Sequence, residues 1–309
     1  MSLYREIQGY TFQSLSSDPS PLVPGQIWYN TTTDTVKSSK LVGTWASANN
    51  MVSARPGTAT VGIQTVALAV GGNDPLGFSG LTEKYDGTNW TSVTAAPFGA
   101  GYSGAGTQNS ALAFGDNFPS VTTTAKYDGT NWTSANSMTN ARGLAGGCGT
   151  QTAALACGGR NPSSPTTVTA TELYDGTNWT AVGTLNFSRP TGGQKAIGIS
   201  TAALVMGGSS SFPSTFSLWQ TESYNGTSWT QVNNLNVAKG QCGAAGTATL
   251  GLFYGQTTEQ WTNTAWYTDT SPPTPSPAGC GTQTSALTAG PTCLEWEYTG
   301  VSTNTITIS

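Results

Sequence analysis

Histidine is absent from all 309 residues. That absence excludes His-based catalytic triads, His metal sites and imidazole pH switches. Charge is scarce too: 8% of residues are charged, against roughly 25% in a typical soluble domain. The 11 basic residues are scattered and the net charge is −4, which leaves no basic track for a nucleic-acid backbone. No apolar run approaches the ~20 residues needed to cross a bilayer. Neither nucleic-acid binding nor membrane insertion is therefore expected. The opening Met1–Glu6 lacks the apolar run of a signal peptide. No segment of about ten residues shows a 3.6-residue period, so almost no helix is expected. The five cysteines (Cys148, Cys157, Cys242, Cys280 and Cys293) form no C-x-x-C pair. They read as small buried hydrophobes, with no zinc site, no disulfide framework and no cofactor.

What the chain does have is glycine, 39 residues of it, and aromatics at 10%. These are ordered by a repeat. Tyr85-Asp86-Gly87-Thr88-Asn89-Trp90 recurs at Tyr127–Trp132 and Tyr174–Trp179. It returns altered at Tyr224–Trp229, worn at Trp261–Trp266, and truncated at Tyr298-Thr299-Gly300. An apolar phrase lies upstream of each copy, as in Val66–Gly72 and Ala153–Gly159, often preceded by Gly-Thr-Gln. From Trp45 to Trp266 the tryptophan spacings are 45, 42, 47, 50 and 37 residues. A fixed unit with elastic loops is what stacked supersecondary modules produce.

Each unit reads as four short strands: a Gly/Ala-rich strand, an unbroken apolar strand, a Thr-rich strand ending in Tyr, and a strand opening with Trp. The Asp-Gly pair supplies the last hairpin, since Gly accepts positive φ without steric cost. Four antiparallel strands repeated every ~43 residues predict an all-β propeller, with small residues innermost and Tyr and Trp in the widening space farther out.

A Gly-Gly after an apolar strand, then Tyr, then Trp resembles the kelch repeat over residues 50–300. Arg55, Arg142, Arg189 and Lys239 precede first strands, as kelch repeats often show, while the second unit has Pro97-Phe98. The segment Pro24–Thr33 resembles an opening found in tail-fibre and other virion proteins of tailed phages. The Tyr-Asp-Gly-Thr-Asn-Trp phrase resembles that of kelch-like phage structural proteins, especially cyanobacterial ones. Two organisations follow. In one, residues 1–50 form the first of seven blades, from strands at Tyr10–Leu15, Ile27–Asn30, Val36–Leu41 and Gly43–Ser47. In the other, residues 1–40 are an attachment arm, and a strand around Trp45 closes a sixth blade beside 293–298. Seven blades is the expectation, with residues 51–309 as the remaining kelch-like propeller repeats.

Candidate chemistry is thin. Glu83, Glu172, Glu222 and Glu259 each stand two residues before an aromatic. A repeat sets them in different blades, beyond the ~10 Å that paired-acid glycoside hydrolysis allows, so they read as structural partners of backbone or Arg. The Asp-Gly turns depart from the sialidase Asp-box, and the five arginines supply no free triad. Copper oxidases on a kelch scaffold use His ligands, which this chain lacks. The sequons at Asn89, Asn131 and Asn178 read as turn residues rather than glycan acceptors. No enzyme constellation emerges.

The loops carry more. One propeller face would hold the short Gly-Thr-Gln and Asp-Gly turns, the other the variable second-to-third and inter-blade loops. Phe78, Phe118, Phe212, Phe216 and Trp219 fall in the former class of variable loop, and Phe98 and Phe187 in the inter-blade loops. Aromatics on loops over a rigid scaffold mark a candidate binding face. The expectation is a non-enzymatic virion structural protein of a tailed phage: a tail, fibre or baseplate module, oligomeric in its assembly. It would contact other virion proteins or a host surface. The alternative is a carbohydrate- or receptor-binding, lectin-like propeller.

Overall fold

The computed structural model describes residues 6–7, 10–11, 13–22, 26–74, 77–97, 103–116, 121–161, 169–189, 194–209, 217–240, 242–275 and 278–306. Among them there is no helix. Two compact units emerge: Trp45–Trp296, and a smaller one made of Met1–Thr44 with Glu297–Ser309.

The larger unit is a β-propeller. Five regular blades are four-stranded antiparallel sheets. Their innermost strands are Ala59–Ile63, Ser103–Thr107, Gly146–Thr150, Lys195–Ile199 and Gly243–Gly246. The inner strands must be poor in side chains because they converge on each other. A Cβ on Gly147 would stand 2.8 Å from Gly104 O and 2.9 Å from the Phe114 ring. Gly149, which opens the first hairpin of the third blade, has φ 104°, and a Cβ there would stand 2.3 Å from Ala153 O. The second strands are apolar throughout because both faces are covered: Ala154, Leu155, Ala156 and Cys157 are fully buried. On the third strands, Thr, Glu and Tyr are buried together, as at Thr171, Glu172 and Tyr174. The Asp-Gly hairpin is fastened by its own carboxylate: Asp86 Oδ1 accepts the Thr88 and Asn89 N–H groups at 2.8 and 2.7 Å, and Gly87 takes φ 95°. The Tyr that ends the third strand lies against the Trp that opens the fourth, with centroids 4.9–5.0 Å apart in the first four blades. In the worn repeat Trp261 stands in for Tyr and meets Trp266 at 5.2 Å.

The core lies between blades. Leu68 and Val70 of the first pack with Ala111, Ala113 and Tyr127 of the second. Cys157 and Leu155 of the third pack with Val205, Tyr224 and Trp229 of the fourth. Each buried aromatic or large aliphatic side chain contributes about 1.5–3 kcal/mol.

The expectation of seven blades is overturned. The ring holds five four-stranded blades, and its remaining position is taken by part of a six-stranded sheet, in the order Gly279–Gly281, Ser285–Thr288, Leu294–Ile306, Thr35–Ser47, Ile27–Asn30, Gln13–Leu15. The strand around Trp45 does lie beside Leu294–Ile306, as the alternative organisation expected, but Ile27–Asn30 and Gln13–Leu15 extend the same sheet, so it is not a four-stranded blade with a separate arm. The third and fourth strands each run 13 residues without a turn. No Asp-Gly pair interrupts Lys40–Thr44, so the segments read as two strands, 36–41 and 43–47, are one. Tyr298-Thr299-Gly300, read as a sixth turn phrase, lies within a strand. Trp296, 1% exposed, fills the buried aromatic position instead. Gln13–Leu15, expected as an innermost blade strand, pairs parallel to Ile27–Asn30.

Within the propeller unit, Cys280, Leu287, Ala289 and Cys293 of the last sheet pack with Met51, Ala67, Ala69, Tyr85 and Trp90. Tyr85 Oη donates to Glu295 at 2.7 Å. Within the smaller unit, Trp28, Tyr29 and Val36 are buried. Asp18 accepts from Trp28 Nε1 at 3.2 Å and Asn30 Nδ2 at 3.1 Å and pairs with Lys37 at 3.0 Å. Asn30 Oδ1 accepts the Thr32 and Thr33 N–H groups, each at 3.0 Å, which shapes the turn into the next strand.

Candidate functional site

The titratable groups come first, because any chemistry would need them. Four glutamates at the buried third-strand position are ion-paired: Arg55–Glu83, Arg142–Glu172, Arg189–Glu222 at 2.7 Å and Lys239–Glu259 at 2.5 Å. Each carboxylate also accepts two backbone N–H groups from an inter-blade loop. Glu172 takes Thr139 and Asn140, Glu222 takes Asn186 and Phe187, and Glu259 takes Asn236 and Val237. The arginines bond in turn to carbonyls beside the Gly-Gly, as Arg189 does to Gly207 O at 2.8 Å and Gln220 O at 3.0 Å. Burial alone would raise the Glu172 carboxyl, but the Thr139 N–H and the Arg142 guanidinium outweigh it and hold it below its ordinary value. The unit is a latch between the second-to-third loop, the third strand and the inter-blade loop. The sequence showed both halves, Glu two before Tyr and a basic residue before the first strand. The expectation that the glutamates are structural partners of backbone or Arg holds, and the structure shows which partners each one takes.

Sequence reasoning missed a second recurring device. The Gln of Gly-Thr-Gln crosses to the preceding blade. Gln108 Nε2 donates to Ala67 O at 3.0 Å and Tyr85 O at 2.6 Å. Gln151 does the same to Ala111 O and Tyr127 O at 3.0 and 2.7 Å, and Gln283 to Gly251 O and Trp261 O at 3.3 and 2.8 Å. The recurrence of Gly-Thr-Gln was the available signal. The turn face is thus spent on holding blades together.

All five cysteines are free and buried. Burial pushes the thiols of Cys157, Cys242 and Cys280 up to about 12, which removes the thiolate at neutral pH. Among the described residues no group of three or more Cys, Asp or Glu is placed to hold a metal.

Of the seven candidate binding residues, Phe78, Phe187 and Trp219 have described backbones. Trp219 is 54% exposed. Phe187 is half-buried, and its backbone is held by the latch: its N–H donates to Glu222 at 3.2 Å and its carbonyl accepts from Arg189 at 3.1 Å. The backbone of Phe78 lies in a two-residue strand, Gly77–Phe78, paired with Asn73–Asp74; its side chain lies outside the described residues. Phe98, Phe118, Phe212 and Phe216 also lie outside them. Two cavities are formed by described residues of the propeller unit. The central channel, about 160 Å³, is lined by the six inner strands, with Thr58, Thr60 and Ser103 hydroxyls and Lys195 along it. A second, about 270 Å³, lies on the loop face, among Ser209, Ser217, Val237–Gly240, Cys242, Gln256 and Pro275.

The fold is shared with proteins of known structure. A solved structure described as "Structure of YjhT" superposes with a TM-score of 0.62, covering 84% of this chain and 100% of that one at 12% identity. At that identity the likeness establishes the β-propeller and nothing finer. No family model matches the chain, and no curated protein matches it.

Proposed function

We propose that this chain is a non-enzymatic structural module of a tailed-phage particle, used in the tail, a fibre or the baseplate. The propeller would act by rigid display, presenting its loop face to another virion protein or to a host surface. The smaller unit would serve attachment, and the module would be oligomeric in the particle. One observation carries this reading: the recurring polar groups of the repeat are consumed internally. The buried carboxylates hold loops, the glutamines hold neighbouring blades, and the turn aspartates hold their own hairpins. Trp219, on a second-to-third loop connection away from those turns, is exposed. A scaffold of this kind supplies geometry rather than proton transfer. The phage setting is supported by the Pro24–Thr33 and Tyr-Asp-Gly-Thr-Asn-Trp resemblances.

The test is immunogold labelling of purified phage particles with an antibody to this chain. Label at the tail tip, fibres or baseplate is the expected result. Particles that carry no label, or release of the chain from the particle fraction by mild salt, overturn the virion reading.

A further inference from the structure

We infer that the loop-face end of the central channel is an anion site, where the Lys195 ammonium holds one small monovalent anion, a carboxylate or halide. The inference is independent of the virion reading. Lys195 opens the innermost strand of the fourth blade and pairs with Met206. The hairpin registers give the matching residue in every other inner strand: Ala59 opposite Val70, Ser103 opposite Phe114, Gly146 opposite Cys157, Gly243 opposite Tyr254 and Gly279 opposite Thr288. All five are small and uncharged. Among the described residues that line the channel, Lys195 alone is charged. Side chains two apart on a strand share a face, so Lys195 leans the same way as Ile197, which packs with Cys242 and Ala244 at the fifth blade. The lysine therefore stands where the fourth- and fifth-blade walls of the channel meet, at the end where the inner strands begin.

The surroundings do not neutralise it. The ion pairs among the described residues are Lys37–Asp18 and the four latches, and none includes Lys195. The titratable groups packed around it are thiols: Cys242 ahead of the fifth blade's inner strand, and Cys148 and Cys157 on the first two strands of the third blade. Burial keeps all three protonated at neutral pH, pushing Cys157 and Cys242 up to about 12. Burial also pulls the half-buried Lys195 below its ordinary value of 10.5, as expected of a cation that has lost water without gaining a counter-charge. Such a charge costs free energy, and an anion beside it offsets the cost. The channel hydroxyls are already engaged. Ser103 Oγ donates to Ala145 O at 2.6 Å, and Thr58 and Thr60 share a hydrogen bond at 3.3 Å. The further donors are backbone N–H groups, because every inner strand stands at the end of its sheet and turns alternate N–H and C=O groups to the channel. One ammonium balances one negative charge. About 160 Å³, well under the ~300 Å³ of drug-sized sites, limits the guest to a few atoms.

The test is thermal unfolding of the full chain in a zwitterionic buffer free of small anions, titrated with sodium acetate, sodium chloride or sodium phosphate. Acetate or chloride is expected to raise the wild-type midpoint saturably, by about 3–6 °C at roughly a hundred times the Kd. The order of those two salts tells carboxylate from halide. Lys195→Met keeps the stem and removes the charge. Its saturable rise should vanish, and without anion it should melt no lower than wild type. Lys195→Arg keeps the charge and should keep the rise. Should Lys195→Met fail to fold, Lys195→Gln gives the same reading. Equal shifts in wild type and the neutral variant overturn the site, because they report a general salt effect. A rise with phosphate alone overturns the monovalent guest. No saturable rise with any of the three salts overturns the site outright, and means that the ammonium reaches open solvent at the channel mouth.

Discussion

The second and fourth blades make an instructive pair. Both have the same strand order and the same hairpin registers. Both place Tyr against Trp at 4.9 Å. The fourth carries the buried Arg189–Glu222 pair, whereas the second has Ala125 at the glutamate position, fully buried and uncharged. Strand pairing therefore does not need the ion pair. What the pair adds is at the loop: Glu222 holds the N–H groups of Asn186 and Phe187, and Arg189 holds the carbonyls of Gly207 and Gln220. The ladder makes the blade, and the latch fixes the connection between blades.

That division can be broken deliberately. Glu222→Ala leaves the Arg189 guanidinium buried with no counter-charge and frees the Asn186 and Phe187 N–H groups. It should cost about 3–5 kcal/mol in urea unfolding, with the far-ultraviolet strand signal retained in the folded state. Glu172→Gln keeps the shape and removes the charge, and about 2–3 kcal/mol should be lost at neutral pH. Its pH dependence has a definite sign. The folded carboxyl of Glu172 sits below the ordinary value of 4.5, so its contribution is present above that pH and fades as pH falls through the folded value. Wild type and Glu172→Gln should converge below pH 4.5, and a gap that widens on acidification would contradict the latch. Gln151→Ala strips two carbonyls of the second blade of their donor, and about 1–2 kcal/mol is expected. Unlike the first two, this variant should weaken the second blade as much as the third, seen as matched gains in amide exchange. Smallest should be Asp128→Ala, whose exposed carboxylate serves its own hairpin; exchange should rise at Thr130 and Asn131 with little change in the unfolding midpoint.

How much of this was written in the sequence follows the range of the interactions. Hairpins are local, so Tyr-Asp-Gly-Thr-Asn-Trp reported its own turn and located four strands per unit. The latch was half legible. That the glutamates bond to backbone or Arg was legible, but the two members are separated by about 30 positions, as with Arg142 and Glu172 at 30, and nothing local says which Arg meets which Glu. The amino-terminal region misled for a related reason. Ile27–Asn30 and Thr35–Ser47 look like blade strands because short apolar stretches are the same in a blade or in a long hairpin. The parallel pairing of Gln13–Leu15 with Ile27–Asn30 leaves no turn signature at all. On the loop face, Trp219 was read from the sequence as one of seven loop aromatics. The loop-face cavity assembles Ser217, Gly240, Gln256 and Pro275 from four separate connections, and no spacing rule brings those together.

The ring is joined by residues far apart along the chain. The Cys293 N–H donates to Asn50 Oδ1 across 243 positions at 3.0 Å, the Ala48 N–H to Cys293 O at 3.1 Å, and Gln64 Nε2 to Trp296 O across 232. During synthesis each blade can form its hairpins as it leaves the ribosome, yet the first blade must wait for the last sheet before its open side is covered. Closure is thus the late, high-contact-order event. A chain stalled before residue 293 would expose the Ala67, Ala69 and Tyr85 surface that the finished ring conceals.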